Sequence, residues 1–343
     1  MATDILDDIL AQPRLLAEAA ASHLSPGSAL VRAAAALAAH RPRRVLLAGM
    51  GSSFFACYPA VLRLQAAGYA AALVELSELL HFGGPLDADT LLVLVSQSGE
   101  TVEARRLLEE RPPAGPLIAV TNTPGSTLAR AATCVVETLA GDERTVATRT
   151  YTTALLALAL LAELALGADP LALTTKLAPT IEAAGHACAE GVVWAERLPA
   201  EWLAPGPLTL VARGLSLASA LSGALALKET AKVPAEGLST AQFRHGPIEI
   251  AAPGHRAIVV AGPGRTLALD LAMAAELRAV GSRTLLVGPA SADAADEVFA
   301  LPAVWLSPLV EIVPLQLLAR QMALRQGFEP GSFRYITKVT ARE

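Results

Sequence analysis

The chain has 343 residues, enough for two medium-sized domains, with 53% hydrophobic residues, 17% charged residues and a mean hydropathy of +0.46. That composition excludes a disordered chain, and a net charge of −5 without a basic run excludes a general nucleic-acid binder. Aromatics are 4%, so the core has to be built from Ala, Leu and Val.

Residues 1–42 read as helical: Leu15, Leu16, Ala19 and Ala20 keep a helical spacing, and Ala33–His40 is rich in helix formers before Pro42 punctuates. The acidic start MATDILDDIL lacks the basic flank of a signal peptide. RRVLLAGMGSS then gives a short apolar run ending in a Gly/Ser loop, which predicts a buried parallel strand followed by a helix over Phe54–Ala67. The pattern recurs at TLLVLVSQSGET, with a helix through Glu109, and at LIAVTNTPGS, with a helix over Leu128–Ala132. Strand–loop–helix repetition predicts an open α/β sheet. The apolar stretch Thr153–Gly167 is about 15 residues long, short of the ~20 that a membrane span needs, and it contains Glu163. It reads as a buried helix within a helical stretch, Tyr151–Glu196, that Pro199–Pro207 ends.

The pattern then begins again. PLTLVARGLSLAS parallels RRVLLAGMGSSFF, RAIVVAGPGRT parallels LLVLVSQSGET, and SRTLLVGPAS parallels LIAVTNTPGS, at offsets of 163, 165 and 165 residues. Near-constant offsets predict two copies of one module. Only the first copy keeps hydroxyl-rich turns. Ser96-Gln97-Ser98-Gly99-Glu100-Thr101 follows a strand and precedes a helix, so Gly99, the helix N-terminus and three hydroxyls form a cradle for a phosphate or similar oxyanion. Gly51, Ser52 and Ser53, at the end of the first strand, converge on the same place. The same spacing also fits a plain helix cap, with Ser98 as N-cap and Thr101 helical.

Three further groups can carry chemistry. Glu229 lies in ALKET on an Ala/Leu-rich helix, where a carboxylate can shuttle protons; it also fits a Lys–Glu pair at a helix end. His245, followed by Gly246-Pro247, sits where a helix stops and serves either as an acid/base or as a cap. Lys338 in RYITKVTARE is one of only four lysines beside 23 arginines, and its neighbours Tyr335, Ile336 and Val339 are apolar. An amine can attack a carbonyl where a guanidinium cannot, although lysines near a chain end are commonly solvated. No histidine is spaced as a metal ligand, and Cys57, Cys134 and Cys188 form neither a CxxC nor a paired framework. The expectation is no metal, no other cofactor and a reducing, cytoplasmic setting.

GMGSS, SQSGET, VTNTPGS, GDERTVATRTYTT, ALKE, AEGLSTAQFRHGP and the KVT tail occur in family order from about residue 45 to 340. Together they resemble the sugar isomerase (SIS) family. They resemble most the isomerase half of glutamine–fructose-6-phosphate amidotransferase and the stand-alone sugar-phosphate deaminases and deglycases. The resemblance implies two SIS modules, each a parallel five-stranded sheet flanked by helices in a doubly wound, flavodoxin-like α/β fold. The expected layout is a helical segment over 1–42, a first module over 43–170, a helical linker over 171–198 and a second module over 199–343. It implies that Ser53, Ser96, Gln97, Ser98 and Thr101 hold the sugar's anion and that Thr148 contacts the sugar. It further implies that Glu229 moves a proton between C1 and C2, that His245 opens the ring from the partner subunit, and that Lys338 engages the open-chain carbonyl. Two positions depart from the family: Ala226 stands where the amidotransferase has a second lysine, and Gln242 where relatives often have Glu. No nucleophilic cysteine follows Met1, so glutamine-dependent amination is not expected.

The expected activity is an aldose–ketose isomerase or deaminase acting on an amino-sugar or sugar 6-phosphate, as a homodimer with shared sites and without nucleic-acid or membrane partners. The alternatives are a fructosamine-6-phosphate deglycase, an isomerase for a sugar with another C6 anion such as a sulfonate, and a sugar-phosphate sensor without turnover.

Overall fold

The computed structural model describes residues 5–40, 44–143, 145–289, 293–335 and 337–338. The expected punctuation at Pro42 and the last two residues of the KVT tail lie outside them. The chain divides into two compact units, Met1–Pro13 with Leu177–Phe333 and Arg14–Lys176 with Arg334–Glu343.

The Arg14–Lys176 unit is built on β1 (Arg44–Gly49), β2 (Ala71–Glu75), β3 (Thr90–Val95), β4 (Leu117–Thr121) and β5 (Cys134–Glu137). All pairings are parallel, in the order β2-β1-β3-β4-β5. Side chains two apart on a strand share a face. Leu46 and Ala48, Leu92 and Leu94, and Leu117 and Ala119 accordingly line one face, under Leu79, Leu80, Ala104 and Leu107 from helices Leu76–Phe82 and Val102–Glu110. Every residue of β3 is buried, as a strand covered on both faces requires. Helix Arg149–Ala165 is buried almost throughout, and its one carboxylate, Glu163, pairs with Arg63 Nε at 2.8 Å. Among the described residues, no helix is long and apolar enough to cross a membrane.

The second unit repeats the plan with β6 (Leu208–Ala212), β7 (Ala235–Ser239), β8 (Arg256–Val260), β9 (Arg283–Gly288) and β10 (Glu297–Ala300), all parallel in the order β10-β9-β8-β6-β7. Numbered within its own copy, each sheet runs 2-1-3-4-5. Gly51 and Gly214, paired by the sequence offset, take the same left-handed conformation, with φ of 50° and 57°. The two five-stranded α/β modules are therefore real copies.

Local differences from the sequence expectation have physical causes. Helix begins at Gly51, not Phe54, and runs as Gly51–Ala56 and Tyr58–Ala66, with Pro59 at the start of the second piece. Gly51, Ser52 and Ser53 thus form a first helical turn rather than a loop. Four strands carry no clear signal from residue pattern alone: β2, β5, β7 and β10. They are the edges of the two sheets.

Candidate functional site

In an open α/β sheet ligands bind beyond the carboxyl ends of the strands, where the strand order reverses. Here that is the gap between β1 and β3. A Cβ built on Gly49 would lie 3.0 Å from both Ser53 C and Val95 O, so the turns after β1 and β3 meet at that residue. Ser53 N closes the first turn on Met50 O at 3.1 Å.

The turn after β3 is pinned at several points. Ser96 N donates to Val120 O and Asn122 N to Gln97 O, at 3.1 and 3.0 Å, which ties the turn to the end of β4. Ser96 Oγ accepts from Gly99 N at 3.1 Å, and Ser98 Oγ accepts from Glu100 N at 3.2 Å. Glu100 points away from the turn and caps helix Thr127–Ala131, accepting from Thr127 N at 2.6 Å and Thr127 Oγ1 at 3.0 Å. The Thr127 backbone bond holds its carboxyl below the usual range. The simple cap does not form. Thr101, not Ser98, is the N-cap of helix Val102–Glu110; its backbone is extended (φ −60°, ψ 145°) and its side chain makes no cap bond. Thr101 Oγ1 is buried with no hydrogen-bond partner among the described residues. The first amides of that helix and this unused hydroxyl together form a donor-rich end for an anion.

Thr148 is the N-cap of helix Arg149–Ala165, but its hydroxyl serves another group. Glu143, with a fully buried side chain, accepts from Thr148 N at 2.9 Å and Thr148 Oγ1 at 2.8 Å, and from Thr150 N at 3.2 Å and Thr150 Oγ1. Lys338 Nζ completes this node, 2.7 Å from Glu143 Oε2 and 2.6 Å from Thr145 O. The structure thus brings together Thr148 and Lys338, which sequence reasoning treated separately, through a carboxylate it had not singled out. The available signal was an acid followed by Thr145 and Thr148 just before an apolar helix.

Glu229 and His245 lie in the other unit. Helix Leu217–Ala226 passes into a π-helical turn, Leu227–Ala231, which carries half-buried Glu229 and exposed Lys228. Single π turns inside helices mark functional positions often enough to note this departure from the plain helix expected. The turn ends at Lys232, a non-glycine residue in left-handed conformation (φ 58°). Its ammonium folds back to the Glu229 carbonyl and to Ser332 O at 2.6 Å. His245 follows helix Thr240–Arg244 as its C-terminal residue and is exposed. That short helix is anchored by buried Phe243, whose ring stacks on His255 at 6.3 Å. His255 in turn sits between Thr209 Oγ1 and Ser282 Oγ, each 3.1 Å away, and burial lowers its pKa. Among the described residues, no group of three or more His, Cys, Asp or Glu could hold a metal ion.

These observations define a protein of two duplicated parallel α/β modules with a hydroxyl-lined switch point in the first. The profile of the SIS domain matches residues 40–164 and 206–325, and the chain belongs to the SIS-domain family. It is 32% identical over 349 aligned positions to a glutamine–fructose-6-phosphate aminotransferase (isomerizing) of Pyrobaculum aerophilum, covering 99% of this chain and 57% of that relative. The chain spans about half the length of the curated relatives it matches. Its fold superposes on the C-terminal domain of glucosamine-fructose-6-phosphate aminotransferase from Francisella tularensis with a TM-score of 0.84, at 24% identity over 96% of this chain and 97% of that one. It also superposes on a glucosamine-6-phosphate deaminase from Thermotoga maritima, with a TM-score of 0.76 at 20% identity over 99% and 100%. At these identities the superpositions speak for the fold.

Proposed function

We propose that the chain is an aldose–ketose isomerase or deaminase acting on an amino-sugar or sugar 6-phosphate by enolisation. The observation that carries this reading is the buried, unpartnered Thr101 hydroxyl at a helix N-terminus, beside the Ser96 and Ser98 turn. A buried polar atom without a partner is costly unless a ligand completes it. A tetrahedral anion presents acceptors to Thr101 Oγ1, to the first amides of helix Val102–Glu110 and to the hydroxyls of Ser52, Ser53, Ser96 and Ser98. Gln97 and Gly51 complete the wall of this cradle. The relatives named for fructose 6-phosphate and glucosamine 6-phosphate support phosphate as the anion.

The rest follows from group chemistry. His245 assists ring opening, which exposes the carbonyl. Glu229 removes the C2 proton and returns it at C1, or the reverse, through an enediol or enolamine. Thr148 contacts the sugar, and Lys338 engages the carbonyl and the oxyanion that develops there. A 2-amino substrate passes through the same shift to a 2-imine that water hydrolyses with release of ammonia. The protein acts as a homodimer in which His245 serves the partner's sugar; the exposure of His245 and of Ile250 beyond it supports this. Three free cysteines support a cytoplasmic setting.

The test is proton exchange in D₂O followed by NMR, with glucosamine 6-phosphate, fructose 6-phosphate, a fructosamine 6-phosphate and a 6-sulfonated glucose, each with and without glutamine. Deuterium uptake at C1 or C2 with a 6-phosphate is expected. Amino acid release would make the chain a deglycase, and uptake confined to the sulfonate would change the anion. Binding of a sugar without any exchange would refute the enzyme reading in favour of a sensor.

A further inference from the structure

Glu143 has more donors than helix capping requires. Thr148 N, Thr148 Oγ1, Thr150 N and Thr150 Oγ1 all point at it, and Lys338 Nζ adds a fifth at 2.7 Å. A carboxylate offers about four lone-pair sites. Five donors crowd those sites, so Glu143 is fixed by its own loop and in turn fixes the position of Lys338 Nζ. The ammonium also donates to Thr145 O at 2.6 Å. Two of its three hydrogens are therefore engaged by described residues, and one is left to donate.

We propose that Glu143 is a positioning residue that fixes Lys338 Nζ where it donates a hydrogen bond to the open-chain carbonyl oxygen. This rests on the assignment of Lys338 to the sugar site made above. In the aldose-to-ketose direction Glu229 takes the C2 hydrogen as a proton, and the C–H pair becomes the C1=C2 bond. The carbonyl π pair moves to O1, against the remaining Lys338 N–H. The proton held by Glu229 returns at C1, and the O2 hydroxyl proton passes to O1.

The experiment has one arm that needs no sugar. The protein is trace-labelled with limiting acetic anhydride at pH 8, and the modification of each lysine is read by peptide mass spectrometry, with exposed Lys228 as internal reference. Lys338 is expected to label roughly tenfold more slowly than Lys228, and Glu143→Gln to remove most of that protection, tenfold being what the loss of ~1.4 kcal/mol of pairing yields. Should Glu143→Gln not fold, Glu143→Asp supplies the same contrast, because it keeps the charge but withdraws it by one methylene. Equal labelling of Lys338 and Lys228 in the unmodified protein, or unchanged protection in a folded variant, overturns the proposal.

The second arm is steady-state kinetics with whichever sugar exchanges deuterium, and an unchanged kcat in folded Glu143→Gln overturns the proposal. Glu143→Gln should lower kcat at least tenfold with KM changed less than about threefold, the split expected for a contact made in the transition state. If no sugar exchanges at all, the functional reading fails, while the labelling arm still decides the Glu143–Lys338 pairing.

Discussion

Gly99→Ala tests whether the turn after β3 is built as tightly as its contacts indicate. Gly99 has φ of +62°, and a Cβ there would lie 2.1 Å from Ser126 Oγ, 2.5 Å from Ser126 Cβ and 3.2 Å from Thr121 Oγ1. Two separate costs follow. A left-handed alanine costs about 1–2 kcal/mol. Forcing an extra carbon into a packed site costs about 1–3 kcal/mol. Ser126 cannot simply turn aside: it is buried, and its Oγ accepts from Ala129 N at 3.3 Å as the N-cap of helix Thr127–Ala131. Moving the turn instead breaks Gly99 N→Ser96 Oγ and Leu128 N→Gly99 O, both 3.1 Å. A loss of about 3 kcal/mol lowers the Tm of a domain this size by roughly 6–12 °C. The assay is thermal unfolding by circular dichroism, with binding of inorganic phosphate by calorimetry as the second readout. In the double variant Gly99→Ala/Ser126→Gly the clash disappears but the backbone strain stays. Glycine costs an N-cap only a few tenths of a kcal/mol, so about half of the Tm should return. A Gly99→Ala protein within 2 °C of the original Tm would refute the packing argument. A destabilised variant with unchanged phosphate affinity would refute the turn's role as cradle.

Other consequences are as direct. Thr101→Val removes a hydroxyl that bonds to nothing among the described residues, so Tm should hold or rise while phosphate affinity falls about tenfold, the worth of one bond to a charged group; unchanged affinity would remove Thr101 from the cradle. Burial depresses the His23 imidazole to about 4. The unfolded chain then binds a proton that the folded chain refuses, so about 3 kcal/mol of stability is lost as pH falls from 6.5 to 4. Urea unfolding of the protein and of His23→Met at pH 7 and pH 4.5 should show that loss only in the former. Burial acts in the opposite sense on Glu311, raising its pKa, so its contribution is present below the unfolded carboxylate pKa and is lost as pH rises through the folded one. The Tm of Glu311→Gln relative to the original should therefore climb between pH 4.5 and 8; a flat difference would contradict the assignment. Burial pushes the Cys57 thiol up and the Cys188 thiol up to about 12, whereas Cys134 is partly exposed. A thiol reagent should titrate Cys134 in the folded protein and the other two only after unfolding.

What could be read from the chain follows the burial of each element. The runs RVLLAG, TLLVLV, LIAVT, LTLVA, RAIVV and RTLLVG are legible because inner strands covered on both faces are continuously apolar. The edge strands AALVE, CVVE, AEGLS and EVFA are short, half exposed, and each carries a glutamate. Such segments pair on one side only, and their sequence says little about strand or loop. Gly237 within AEGLS even looks like a strand breaker. Its reason is three-dimensional: a Cβ there would meet Leu221 Cα at 2.8 Å and Ala220 O at 2.9 Å, on the helix Leu217–Ala226. The same division holds at the site. The Ser96–Thr101 turn is local and announces itself through Gly and hydroxyl residues. Glu143 depends on a lysine 195 residues away, and no pattern around residue 143 reveals that pairing. The π turn under Glu229 is equally silent, because Ala/Leu-rich sequence suits an α-helix as well.

The duplication raises the question of why one copy would hold an anion and the other not, since both sheets have the same switch point. The second copy supplies its own carboxylate. At the ends of β6 and β8, Glu311 is fully buried, accepting from Ser216 Oγ at 2.8 Å and Ser219 Oγ at 2.7 Å. Ser216 is the counterpart of Ser53, so this hydroxyl already has an acceptor, whereas Thr101 in the first copy has none among the described residues. The crevice beside Glu311 is lined by Ala261, Pro263, Gly288, Pro289 and Ser307. The two copies thus solve one electrostatic problem differently. At the strand ends and helix starts, the second copy satisfies the Ser216 and Ser219 hydroxyls with Glu311, while in the first copy Thr101 Oγ1 has no partner among the described residues.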